Sequence, residues 1–334
     1  MRMMGQKMWK TEPKIELHLH LDCSLSYLFV QAFEPNITLD AYRKDFVAPA
    51  KCKDLAEFLT YTRRSLELMQ TEFGLRLAAQ DVVRQLLEDR VIYAEIRYAP
   101  LLHVQQGLSG DDVVAIVSDE LLKQRAIHPS LETRLLLCTL RHFTTRQSQQ
   151  TADLVWRHAP KGVVVGIDIA GDEANFPLDA HAQVFDQVFA RHIPITAHAG
   201  ESKGPESVWE TLKKLHPSRL GHGIRSWEDK NLISYLISHR IHLEVCPSSN
   251  IQTAVYGHYS QHPVNRLFKA GVSLSINTDG RALNNISLGQ EYDRLHQIFG
   301  WTKREFRQCN VNALKAAFIA PDLRQRFINF IKNS

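Results

Sequence analysis

Eight times along the chain a short β-rich run recurs, and stretches with helical spacing fill most of the gaps. That alternation limits the fold more than any other feature. The runs are 15–22, 91–99, 133–143, 163–173, 193–201, 219–224, 241–250 and 272–280. In 75–89, Leu75, Ala78, Ala79, Val82, Val83, Leu86 and Leu87 fall on one apolar stripe at i, i+3, i+4, i+7 spacing. Similar patterns cover roughly 111–126, 178–191, 205–215 and 226–239. Strands alternating with helices predict a parallel sheet of the α/β class. Eight such units predict a (β/α)8 TIM barrel, with a doubly wound open sheet as the alternative, and 334 residues suit one barrel domain. Two segments exceed the minimal barrel: 23–74 after the first strand, and a tail beyond Thr302 that reads as two helices split at Pro321. Long connections at the C-terminal ends of strands usually carry function, so 23–74 is expected to be a helical insertion acting as lid or pocket wall. Its apolar residues, among them Phe58, Leu59, Tyr61, Leu66 and Met69, either shield a ligand or fill the buried stripes of the extra helices.

Composition narrows the partners. The chain is 44% hydrophobic and 23% charged, which suits a globular protein with a large core. A net charge of +4 is spread without a Lys/Arg block, which argues against nucleic acid or an anionic membrane as partner. No run approaches the ~20 uninterrupted apolar residues of a membrane span. The opening MRMMGQKMWKTEPK lacks the apolar core of a signal peptide. Cys23, Cys52, Cys138, Cys246 and Cys309 are odd in number and widely spaced, with no CxxC, so reduced thiols in a cytoplasmic protein are expected.

Distinctive polar residues gather at the C-terminal ends of the runs. Side chains alternate along a strand, so Leu17 and Leu19 take one face while His18 and His20 take the other. If the leucines pack on helices, both imidazoles enter the barrel mouth. The fifth run ends in His198, followed by Glu201, and the sixth holds His222 between two glycines. In the eighth, Ser273, Ser275, Asn277 and Asp279 share the inward face. The first and eighth strands of a barrel are neighbours, and the fifth lies across from the first. His18, His20, His198 and Asp279 can therefore converge. Three neutral imidazoles and a carboxylate suit zinc, which lowers the pKa of a bound water to about 7. A lone HxH would be weak evidence, and most of the 16 histidines belong to surfaces or helices. The reading gains weight because every member lies at the end of the barrel where TIM-barrel active sites sit.

PKIELHLHLD, YAEIRYAP, IDIAGDE, TAHAGE, RLGHG and NTD resemble, in order, the motifs of the adenosine deaminase family of the amidohydrolase superfamily. The resemblance spans about 13–320. It implies a (β/α)8 barrel with one zinc ion (Zn2+) per chain, held by His18, His20, His198 and Asp279. It implies that Glu201 donates a proton to the purine and that His222, with Asp279, orients the attacking hydroxide. It places Asp22 on the ribose 5′-hydroxyl and Gly171 at the purine N3 edge. The fourth run has no lysine near its end, where binuclear relatives carry a modified one, so one metal is expected. The implied reaction is hydrolytic deamination at C6 of a purine nucleoside, adenosine or 2′-deoxyadenosine, a small-molecule substrate.

Two positions depart from the family pattern. Cys23 stands where many relatives have glycine. Gly280 stands where an aspartate often reaches purine N7, which leaves the base contacts open. A water, Arg281 or Asn284 could replace that contact, or the glycine could serve a positive φ. The alternatives to adenosine are another 6-amino purine nucleoside such as aminodeoxyfutalosine, adenine, a zinc amidase or phosphotriesterase reaction on the same barrel, and a non-catalytic purine binder. Intact residues at the metal and catalytic positions weigh against the last.

Overall fold

A computed structural model describes residues 9–334. Residues 1–8, on which much of the signal-peptide expectation falls, lie outside the described residues. Among the described residues eight strands form: β1 (Lys14–His20), β2 (Val91–Tyr98), β3 (Glu132–Leu140), β4 (Val164–Ala170), β5 (Thr196–Ala199), β6 (Arg219–His222), β7 (His242–Val245) and β8 (Leu274–Ile276). They pair in parallel as β1-β2-β3-β4 and β5-β6-β7-β8. Single parallel bridges join the two sheets, Ile167 to Ile195 and Leu19 to Asp279. At the second, the Asp279 N–H donates to His18 O at 3.1 Å and the His20 N–H donates to Asp279 O at 2.7 Å. The ring closes as a (β/α)8 barrel, and its last seam runs through the histidine pair of β1.

Several boundaries differ from the sequence reading. The run 241–250 is strand only to Val245, because Pro247 opens the helix Pro247–Gln252. Proline suits a first helical turn, where its missing N–H would have no partner anyway. The helices Thr145–His158 and Leu288–Phe299 escape the periodicity reading. The buried stripe of the first mixes Ser148 and Thr151 with Ala152, Leu154 and Val155, and that of the second contains Glu291. Both begin with capping boxes, Thr144 with Gln147 and Ser287 with Gln290, which is the local signal that marks them. The tail forms the helices Lys303–Ala316 and Pro321–Asn333. The segment after β1 forms four short helices, Tyr27–Phe33, Leu39–Phe46, Leu55–Thr60 and Arg63–Leu68, and Ser26, Thr38 and Asp54 cap the first three.

The outward apolar residues of the strands pack under the helices. Ile96, Leu135, Ile167, Leu220 and Leu274 join one large cluster. Ile15 and Leu17 instead meet Ala313, Leu314 and Ile328 of the tail, which seals the barrel beside β1. The barrel interior is charged rather than apolar. Glu95, Arg97, Asp168, Arg219 and Glu244 are each 0% exposed. Arg97 meets Asp168 at 2.9 Å and Glu244 at 2.6 Å, and Arg219 meets Glu95 at 2.5 Å and Glu244 at 2.8 Å. A buried charge is tolerable only when paired, and each member of this lattice is. Among the described residues no helix is long and apolar enough to cross a membrane. The five cysteines are all unpaired.

Candidate active site

At the C-terminal end of the strands a cavity of about 340 Å³ opens, and His20, His198, His222 and Asp279 lie in its wall. His18 lies fully buried beside them. His222 and Asp279 have positive φ, 59° and 64°, where the chain turns out of the sheet. Non-glycine residues hold such backbone only where surrounding structure enforces it, often at functional sites. His18, His198, His222 and Asp279 each offer a donor atom within 4.8 Å of the others, a group able to hold a metal ion. His20 belongs to the same gathering: its Nε2 lies 3.1 Å from His198 Nε2 and 3.5 Å from Asp279 Oδ1. The geometry thus offers five donors where the sequence reading named four.

The surroundings set what these atoms can do. His18 Nδ1 lies 3.0 Å from Glu244 Oε2, and His198 Nδ1 lies 3.2 Å from Asp168 Oδ1. Burial opposes ionisation of both carboxyls. His198 and Arg97 at Asp168, and Arg97 and Arg219 at Glu244, outweigh it and hold them below the usual carboxylate range. Ionised carboxylates only accept, so each Nδ1 is the protonated nitrogen. The Nε2 lone pairs then face the centre, the arrangement that carboxylates behind metal-binding histidines impose. His18 Nε2 is buried without a hydrogen-bond partner, although Asp279 Oδ1 is 3.2 Å away. Asp279 Oδ1 faces His18 and His20 at 3.2 and 3.5 Å, and its Oδ2 accepts from Ser249 Oγ at 2.7 Å.

Glu201 lies 3.5 Å from His222 Nε2 and accepts from Thr253 Oγ1 at 3.4 Å. Burial, and then the charges of Asp279 and Glu173, push its pKa well above that of an ordinary glutamate. That shift favours the protonated form, which can give a proton. Its loop is held from below. Glu173 Oε2 accepts the N–H groups of Glu201, Ser202 and Lys203 at 3.0, 2.7 and 3.0 Å. Glu173 Oε1 accepts from Gly200 N at 2.7 Å and Ser207 Oγ at 2.6 Å. Burial and the neighbouring His18 push His222 well below its ordinary pKa, so its ring is neutral.

Leu55, Phe58, Leu59 and Leu66 of the inserted helices and Thr62 between two of them line the cavity, with Asp22, Cys23, Gly171, Asp172 and Gly280 among the other lining residues. Among the described residues no lysine or arginine does. Burial raises the Asp22 carboxyl to about 6. Gly171 has φ 98°, which favours glycine. Gly280 is constrained differently. Its backbone is not left-handed, but a Cβ there would meet Cys23 Cβ at 2.6 Å and Cys23 O at 3.0 Å. Arg281 and Asn284 face elsewhere: Arg281 pairs with Glu16 and Asp89 at 2.6 and 3.2 Å, and Asn284 Nδ2 donates to Thr278 O at 2.7 Å. Sequence reasoning passed over Asp168, Glu173, Glu244 and Asn250. Asp168 and Glu173 stand inside the quoted IDIAGDE, and a carboxylate in an apolar strand run is itself the signal.

Comparison with known proteins agrees with this geometry. The Adenosine deaminase family profile matches residues 13–334. Adenosine deaminase of Clostridium acetobutylicum is 31% identical over 327 residues, covering 96% of each chain. That of Enterococcus faecalis is 35% identical over 316 residues, covering 93% of each. In fold, the chain superposes on adenine deaminase of Arthrobacter aurescens with TM-score 0.87 at 22% identity, covering 97% of this chain and 99% of the other. It superposes on the Arabidopsis thaliana N6-methyl-AMP deaminase with TM-score 0.84 at 24% identity, covering 98% of each. Zinc is bound in a Burkholderia ambifaria amidohydrolase that superposes with TM-score 0.87 at 19% identity, covering 98% of this chain and 93% of that one. The barrel, the imidazole–carboxylate cluster and the family match together show that this chain belongs to the adenosine deaminase family, hydrolases acting on carbon–nitrogen bonds of cyclic amidines.

Proposed function

We propose that the chain deaminates adenosine and 2′-deoxyadenosine to inosine-type products, with one zinc ion held by His18, His20, His198 and Asp279. The fit of a metal rests on the unpartnered His18 Nε2 and the carboxylate-backed rings of His18 and His198. When bound, zinc supplies an activated water at neutral pH. The chain's own residues do the rest. Glu201 holds a proton at purine N1, which localises the C6=N1 double bond and makes C6 electrophilic. His222 and Asp279 orient the incoming oxygen. Water adds across C6, the C6–N bond breaks, and ammonia leaves with the transferred protons. Gly171 offers backbone to the N3 edge, Asp22 holds the ribose 5′-hydroxyl, and Gly280 leaves N7 without a side-chain contact. The segment 23–74 is the pocket wall, its leucines and Phe58 excluding water from the base.

One observation carries the choice of a neutral nucleoside over a nucleotide. The cavity wall carries the carboxylates of Asp22 and Asp172 besides the acid form of Glu201 and the proposed metal ligand Asp279, and among the described residues no lysine or arginine meets a phosphate there. Like charges facing each other are unfavourable, which disfavours a 5′-phosphate beside Asp22 and Asp172. The test is adenosine turnover by zinc-loaded protein in ¹⁸O-water. Inosine carrying the label and equimolar ammonia are expected. No ammonia from adenosine or 2′-deoxyadenosine would reject the reading.

A further inference from the structure

His222 is backed differently from His18 and His198, and the difference can be followed atom by atom to a backbone group. The Val264 N–H can only donate, and it donates to His262 Nδ1 at 3.1 Å. His262 Nδ1 is therefore an acceptor. Burial lowers the pKa of His262 to about 3, so this ring is neutral and its proton sits on Nε2. That Nε2 lies 3.2 Å from Asn250 Oδ1 and donates to it. Asn250 then has only its amide nitrogen to offer the next partner, and Nδ2 lies 3.1 Å from His222 Nδ1. His222 Nδ1 accepts, so the ring's proton is on Nε2, on the side of Glu201 and the metal group. Asn250, His262 and Val264 are each no more than 1% exposed, so water does not offer the chain an alternative partner.

We propose that His262 and Asn250 are positioning residues that lock His222 as its Nε2–H tautomer, making it a hydrogen-bond donor into the site and barring it from the metal. The assignment sorts the five donors of the centre. Rings backed by a carboxylate, His18 and His198, present lone pairs. The ring backed by an amide nitrogen, His222, presents a proton. His20 is then the third imidazole for a metal that His222 cannot bind, although His222 lies within the same cluster. The reverse assignment fails at its far end. If His222 Nδ1 carried the proton, Asn250 would turn its oxygen to it and its NH2 to His262 Nε2. His262 would then need its own proton on Nδ1, against the Val264 N–H. Which nitrogen carries the proton is set by the bond the other makes.

This proposal rests on the deaminase reading only for the consequence of the lock, and its primary test needs no substrate. Long-range ¹⁵N–¹H correlation of histidine-labelled, zinc-loaded protein is expected to show His222 with a protonated Nε2 and a bare Nδ1. A protonated Nδ1, or a His222 nitrogen shifted by direct metal bonding, would overturn it. Asn250→Asp replaces the donating amide by an acceptor and should invert the tautomer. With adenosine, that variant is expected to lose about 10²-fold in kcat while KM stays within about threefold, since the group acts in the chemical step rather than in binding. An inverted tautomer with kcat within about threefold of wild type would remove the lock from catalysis. If Asn250→Asp does not fold, His262→Ala, which leaves Asn250 free to turn, should give mixed His222 tautomers. A single unchanged tautomer in that variant would contradict the relay. A correct tautomer in a protein that releases no ammonia would reject the deaminase reading and leave the relay standing.

Discussion

At the residue scale the proposed chemistry asks Glu201 to carry a proton, and burial with the charges of Asp279 and Glu173 favours its acid form. Because the pKa is raised, the acid form persists to higher pH than in an ordinary glutamate, and activity should fall as pH rises through that raised value. Glu201→Gln keeps the shape and cannot deliver the proton. It should retain zinc and lose about 10²- to 10⁴-fold in kcat, the usual worth of a positioned acid. Near-normal turnover would remove Glu201 from the mechanism. Gly280 and Cys23 form a second residue-scale pair, since the side chain on one occupies the space of the other. Gly280→Ala should lower stability by about 1–3 kcal/mol through overpacking, and adding Cys23→Gly should recover most of it. Melting curves of the two single variants and the double variant measure the coupling, and simple additivity would refute it. An aspartate at 280 meets the same wall, so Gly280→Asp alone should destabilise rather than improve the enzyme. With no side chain toward N7, adenosine and 7-deazaadenosine should differ by less than about tenfold in kcat/KM, the span of one neutral hydrogen bond. A hundredfold rejection of the deaza analogue would show that another group reads N7.

Elements set how much of this could be read beforehand. The convergence of His18, His20, His198 and Asp279 follows from strand alternation and barrel order, both local or combinatorial properties. The partners of those residues do not. Glu244 meets His18 across 226 positions and Arg97 across 147, contacts that exist only once the sheet has closed. Glu173 gains meaning from the path of the loop after β5, which no periodicity encodes. The polar-striped helix Thr145–His158 was hidden for a related reason: its core face uses Ser148 and Thr151, which pair with neighbours instead of reading as apolar. Two outcomes belong at this scale. Glu173→Gln places an NH2 among N–H donors, so hydrogen exchange at residues 200–203 should quicken and kcat should fall. Unchanged exchange there would mean the clamp does not hold the loop. Phe58→Ala in the inserted helices should open the pocket wall, with KM for adenosine rising several-fold while zinc content stays constant. An unchanged KM would place Phe58 in packing alone.

At the scale of the whole molecule, the barrel is organised around charge. Two guanidiniums and three carboxylates fill its interior, and two of those carboxylates orient the imidazoles above them. Such a floor turns two histidine lone pairs toward His20 and Asp279, and a cation there should stabilise the fold by mass action. Stripping with a chelator should therefore lower Tm and abolish turnover, and zinc should restore both. An unchanged Tm with full activity after verified metal removal would contradict a metal centre. Asp22 and Asp172 face the cavity above, and on the proposed reading it admits a neutral 6-amino purine nucleoside in preference to its monophosphate. The direct measurement is the ratio of kcat/KM for adenosine to that for AMP on zinc-loaded protein. Several kcal/mol of like-charge repulsion correspond to a ratio above about 10²-fold in favour of adenosine. A ratio near unity, or a preference for AMP, would contradict the account.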